Sequence, residues 1–117
     1  VKTVLVVDDD KLIRRLVHDA LVKRGDFTVL EAEDGLDGVA RFMLHAPDVL
    51  ITDVSMPNSD GLEMLDVLQK GGLLKGVRVV IMSGVLNVSE IKEKHAGKAA
   101  LLSKPFSLHE LYAAVEG

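Results

Sequence analysis

Asp8 and Asp9 follow the apolar run LVV, Asp53 follows VLIT, and Lys104-Pro105 follows ALLS. If these runs are parallel strands of one sheet, their carboxyl ends share an edge, and three carboxylates and an ammonium converge on one small site. Carboxylates a few ångströms apart repel one another, so they stay ionised together only where a cation offsets the repulsion. Hard oxygen donors of this kind suit Mg²⁺. A hard cation, a carboxylate nucleophile and an ammonium together are equipped to handle a phosphoryl group.

Such convergence requires strands and helices in strict alternation, and the chain has that rhythm. Short apolar or β-branched runs at 3–7, 28–32, 49–52, 79–82 and 99–102 read as strands. The run at 49–52 is continuously apolar, as expected of a strand covered on both faces. Between them, Leu12, Ile13, Leu16, Val17, Ala20 and Leu21 repeat at helical spacing until Gly25 stops them. Leu36, Val39, Ala40, Met43 and Leu44 line one face of a second helix that ends before Pro47. A third helix is expected over 61–69, broken by Gly71-Gly72, and a fourth around 88–95, where apolar positions are few. Ser107 with Glu110 forms a capping box for a last helix carrying Leu108, Leu111, Tyr112 and Val115. Alternation of this kind implies an α/β fold, an open parallel sheet with helices on both faces.

The composition bounds the function. The 117 residues fit a single domain over 1–117, with 48% apolar residues and no low-complexity tract. A formal charge of −4 and the absence of any basic run argue against direct nucleic-acid binding. The absence of cysteine excludes disulfides and thiolate metal sites. With neither a signal peptide nor a membrane-length apolar stretch in the sequence, the expected compartment is the cytoplasm, with no membrane partner. The chain begins at Val1, so a domain belonging to a longer protein is expected.

The segments LVVDDD, EAEDGLDG, ITDVSMPNSDGLEML, VVIMSG and LLSKPFSLHEL, in this order, resemble the receiver domain of bacterial two-component response regulators, including the chemotaxis type. The resemblance covers essentially the whole chain. It implies a flavodoxin-like, doubly wound sheet of five parallel strands in the order 2-1-3-4-5 with five helices. It also implies that Asp53 accepts a phosphoryl group from a sensor histidine kinase or a phosphotransfer histidine. Asp8, Asp9, Asp53 and the backbone carbonyl of Ser55 would hold Mg²⁺, and Lys104, after a cis peptide to Pro105, would pair with Asp53. Ser83 would donate its hydroxyl to the phosphoryl group after moving inward. Such a domain catalyses its own modification and is not a multiple-turnover enzyme. Its output face, also a surface for homodimerisation, is built from helix four, strand five and helix five.

Plainer readings stand beside these. Asp9 or Asp10 suits the N-cap of the first helix, a lysine before proline is ordinarily a solvated loop residue, and a serine before glycine is a turn signal. His18, His45, His95 and His109 are scattered without metal-ligand spacing and read as surface residues, while Phe42, Met43 and Met64 read as core. Leu12, Ile13 and Leu16 read as shared between core and a docking surface. Two departures from the family pattern stand out: Leu101 occupies a position that usually holds tyrosine or phenylalanine, and Ser55 and Val85 hold the positions that tune acyl-phosphate hydrolysis. Competing functions are a degenerate receiver acting only as an interaction module, for which Leu101 speaks, and a small haloacid-dehalogenase-type phosphatase, for which the Asp8-x-Asp10 pattern speaks. A flavin or nucleotide module lacks its glycine-rich signature.

Overall fold

A computed structural model describes residues 1–54, 60–84 and 99–117. In chain order the elements are β1 (Lys2–Val7), α1 (Lys11–Arg24), β2 (Phe27–Ala32), α2 (Gly35–His45), β3 (Val49–Asp53), α3 (Asp60–Lys70), β4 (Arg78–Ser83), β5 (Ala99–Ser103) and α4 (Leu108–Glu116). The helix expected around 88–95 lies outside the described residues, so the described helices number four and α4 is the last of the chain. All strand pairs are parallel, and the sheet order is β2-β1-β3-β4-β5.

The two faces of the sheet follow from strict side-chain alternation. Val4, Val6, Val49, Ile51, Val80, Met82 and Leu102 pack beneath α1 and α4, against Val17, Leu21, Leu111 and Val115. Leu5, Val7, Leu50, Val79 and Ile81 pack on the other face, against Phe42 of α2 and Met64, Leu65 and Leu68 of α3. Every residue of β3 is buried, which is why its sequence is an unbroken apolar run up to the terminal polar pair Thr52-Asp53.

Helix ends are set by local chemistry. Asp10 caps α1: its Oδ1 accepts the N–H groups of Leu12 (2.9 Å) and Ile13 (3.4 Å). Gly25 ends α1 at φ 89, a conformation open to a residue without Cβ. Asp34 caps α2 through the N–H of Asp37 at 2.8 Å, and α2 stops at left-handed Ala46 just before Pro47. The expected capping box is present: Ser107 Oγ accepts from Glu110 N–H, and Glu110 Oε1 accepts from Ser107 N–H, both at 3.1 Å.

The structure corrects the reading of α2. The face carrying Leu36, Ala40, Met43 and Leu44 points to solvent, and the packed face is built from Gly35, Gly38 and Phe42, with Val39 at its margin. A Cβ on Gly38 would meet Met64 Sδ at 2.6 Å and Val7 Cγ2 at 3.1 Å, so glycine is what lets α2 lie close against α3 and β1. Met43 is therefore a surface residue, whereas Phe42 and Met64 are core as expected. On α1, Leu12 and Leu16 are likewise exposed, and Val17, Ala20 and Leu21 are buried.

Candidate functional site

The strand register brings the polar strand ends to one edge. Val7 is level with Thr52, Thr52 with Ile81 and Ile81 with Leu101, so Asp8, Asp53, Ser83 and Lys104 all emerge at the carboxyl ends of neighbouring strands. Asp8 and Asp53 continue the parity of Val6 and Ile51, and Lys104 that of Leu102, which aims all three toward the side of the sheet under α1 and α4.

Lys104 closes the site. Its Nζ donates to Asp8 Oδ2 at 3.0 Å and to Asp53 Oδ2 at 2.9 Å, while its own backbone N–H donates to the Ser83 carbonyl at 2.9 Å. The Lys104-Pro105 peptide is cis, as the family resemblance implies. The two carboxylates are buried, Asp8 completely so, and the ammonium retains 19% of its side-chain exposure. A solvated loop lysine would not be held this way, so the plain reading of Lys104 falls.

Charge is out of balance here. Burial pushes the Asp8 carboxyl above the ordinary aspartate range, and the nearby Asp53 charge adds to that, against the lowering effect of the Asp10 N–H (2.9 Å to Oδ1) and of Lys104. For Lys104, burial favours loss of the proton, but the hydrogen bonds to Asp53 and Asp8 outweigh it and hold the ammonium above its usual range. Asp9 is exposed, with no hydrogen bond or ion pair of its own among the described residues, and carboxylate oxygens of Asp8, Asp9 and Asp53 lie within 4.8 Å of one another. Clustered hard oxygens, one of them on an uncommitted carboxylate, fit a divalent cation such as Mg²⁺. Ser55, expected to add a backbone carbonyl, lies outside the described residues, as does Val85.

Three consecutive aspartates thus have three environments: Asp8 buried in the pocket, Asp9 exposed at its mouth and Asp10 committed to the α1 cap. The commitment of Asp10 removes the acid–base partner that an Asp8-x-Asp10 phosphatase would need. Ser83 is buried at the end of β4 on the same edge. Two contributors were not singled out from the sequence. Arg14, in the first turn of α1, donates from Nη1 to the Asp8 carbonyl (2.6 Å) and from Nε to Glu31 (3.0 Å), tying the Asp8 backbone to α1 and β2. Gly61 packs against the Asp53 carbonyl so closely that any Cβ would lie well inside contact distance of that oxygen. The signal for Gly61 was its place in the Asp60-Gly61 motif; for Arg14 there was none beyond helical position.

The family model described as "Response regulator receiver domain" matches residues 4–116. The chain belongs to the response regulator receiver domain family. This receiver domain is 30% identical to the chemotaxis protein CheY of Bacillus subtilis, over 96% of this chain and 92% of that protein. It is 31% identical to protein PilG of Pseudomonas aeruginosa, over 97% of this chain and 84% of that protein. Among solved structures it superposes on the chemotaxis protein CheY4 of Vibrio cholerae with a TM-score of 0.84 at 28% identity, covering 96% of this chain and 93% of that one. It is also similar to response regulator MprA of Mycobacterium ulcerans, at 36% identity, and there it spans 47% of the relative. Phosphorylation on aspartate is the general mechanism of receiver domains, which bind Mg²⁺ at an acidic pocket and interact with histidine kinases or phosphotransfer proteins. Among the described residues no helix is long and apolar enough to cross a membrane.

Proposed function

We propose that Asp53 is the phosphoryl acceptor of a single receiver domain spanning 1–117, acting in the cytoplasm and switching a protein-binding surface rather than contacting nucleic acid or membrane. The observation that carries this reading is the pair of hydrogen bonds from one ammonium to Asp8 and Asp53 at the carboxyl edge of the sheet. A carboxylate oxygen of Asp53 attacks phosphorus, and a carbon–oxygen–phosphorus linkage forms as the phosphorus–nitrogen bond to a donor histidine breaks. The leaving nitrogen keeps the electron pair, and a proton on the other ring nitrogen leaves a neutral imidazole. Lys104, already hydrogen-bonded to Asp53, follows the charge onto the phosphoryl oxygens. Asp8, Asp9, Asp53 and the Ser55 carbonyl would hold Mg²⁺, which when bound supplies neutralisation of phosphoryl charge.

The product is an acyl phosphate, a mixed anhydride, bringing nearly two negative charges to a pocket already rich in carboxylates. Ser83 is placed to donate its hydroxyl to a phosphoryl oxygen from the end of β4. Movement there would be felt by β5, whose Ser103 pairs with Ser83 and whose Leu101 is partly exposed. The face of β5, α4 and the segment between β4 and β5 is the proposed output and homodimer surface, with leucine in place of an aromatic switch. Intact-mass spectrometry after incubation with acetyl phosphate and Mg²⁺ tests the assignment. One added phosphoryl group is expected, absent in Asp53→Asn and in EDTA; an adduct persisting in Asp53→Asn would move the acceptor elsewhere. A folded wild-type domain with no adduct under any donor or time would favour the interaction-only receiver that Leu101 suggested.

A further inference from the structure

Among the described residues, the outer face of α2 stands out as an exposed apolar surface. Leu36, Met43 and Leu44 are 81%, 66% and 76% exposed, and Ala40 lies exposed between them. At 100° per residue these positions fall within an arc of about 100° on the helix, turned away from the packed face of Gly35, Gly38 and Phe42. With Val39 and Phe42, apolar side chains then surround most of an 11-residue helix. A helix apolar around most of its circumference is ordinarily buried on all of those sides, and here Leu36, Met43 and Leu44 stay largely exposed.

We propose that this face pairs with the same face of a second copy of the chain, antiparallel about a two-fold axis passing at Ala40. The pattern is its own complement. Leu36, Ala40 and Leu44 are spaced four and four, so rotation about Ala40 sets Leu36 at the level of Leu44 of the second copy and Ala40 against itself. A small residue at the crossing point lets two helix axes approach closely, and the flanking leucines fill the space on either side. Charge agrees with this register. Asp37 and Arg41, an i,i+4 ion pair at 3.3 Å, both lie on one flank of the stripe. In an antiparallel pair like flanks meet, and Asp37 comes within about half a turn of Arg41 of the second copy, so opposite charges face each other at both ends. A membrane surface would find Asp37, Asp34 and Glu33 beside the stripe and would be repelled by them. One helix face is smaller than the ~800 Å² per partner of a stable interface, so the pairing is weak and concentration-dependent.

The proposal stands apart from the phosphoacceptor assignment, and its test is run in EDTA without any phosphoryl donor. Sedimentation equilibrium of the whole chain from about ten micromolar to about one millimolar should show mass rising toward twice the monomer. Leu36→Glu with Leu44→Glu should remain monomeric over that range, and Leu101→Lys, on the β5 face, should associate as the wild type does. Because the chain has no cysteine, Ala40→Cys introduces a single thiol. On the axis it should cross-link to itself under mild oxidation far faster than His45→Cys, which lies off the face. A wild type that stays monomeric at one millimolar, association that survives the double glutamate variant, or equal cross-linking at both cysteine positions would each overturn the proposal.

Discussion

The two edges of the sheet treat charge in opposite ways. At the amino edge polar groups are paired off. Asp48 accepts the Thr3 N–H at 2.8 Å, Arg78 Nε donates to the Ala114 carbonyl at 2.6 Å, and Arg24 pairs with Glu116 at 2.9 Å while lying 4.5 Å from the Tyr112 ring centroid. At the carboxyl edge two buried carboxylates share one ammonium, and a third carboxylate stands beside them. The amino edge is finished in the sense of polar satisfaction. Among the described residues the carboxyl edge carries more carboxylates than cations, and burial makes that imbalance expensive. Stability would favour apolar residues there, so the imbalance marks where this receiver domain gives up stability for chemistry.

This contrast is broken most severely by removing the ammonium that the two buried carboxylates share. Lys104→Met should lower the unfolding free energy in EDTA by about 3 kcal/mol, since it removes the ammonium that two buried carboxylates share. Chemical denaturation would measure this, and a loss no larger than that of an exposed substitution would mean Lys104 holds nothing. Next is the packing beneath Asp53. Gly61→Ala should cost about 1–3 kcal/mol and slow acyl-phosphate formation, because the new methyl collides with a backbone carbonyl that cannot swing aside.

Asp8 gives a pH signature. Its folded-state pKa is raised, so its proton is held more tightly in the folded than in the unfolded domain. The stability this contributes is full below the unfolded value of about 3.9 and is lost as pH rises through the folded value. Without Mg²⁺, the stability of Asp8→Asn relative to wild type should therefore climb with pH across that window. A difference that is flat with pH would mean burial does not disfavour the ionised carboxylate. The smallest effect belongs to the amino edge: Tyr112→Phe removes the 3.0 Å hydrogen bond to the Ala20 carbonyl and should cost about 1 kcal/mol. Phosphorylation kinetics of that variant should match wild type, and a change would show that the two edges are coupled.

Most of this architecture was legible because parallel strands covered on both faces must be apolar throughout. The expected strands differ from β1, β2, β4 and β5 by single residues at their ends, and β3 extends to include Asp53. The polar residues that interrupt those runs were legible as a site for the same reason. What escaped the sequence was decided by tertiary contact. Whether Asp9 or Asp10 caps α1 depends on which carboxylate can face the N–H groups of Leu12 and Ile13. That Lys104 reaches Asp8 as well as Asp53 depends on strand spacing. The misread face of α2 has the sharpest lesson: a glycine such as Gly38 can form a packing surface by permitting close approach, and glycine gives no hydrophobic signal. The more apolar stripe was therefore assigned inward when it faces out.

The bond from Lys104 to Asp8 joins residues 96 apart in the chain, nearly its whole length. A ribosome that has released everything up to β4 has already delivered Asp8, Asp9 and Asp53, but not the ammonium that makes them a site. Until the last strand seats at the sheet edge, Asp8 and Asp53 lack the ammonium that bridges them. Competence for signalling therefore arrives last and all at once, as a certificate that the domain is complete, and a truncated or half-folded chain cannot answer in its place.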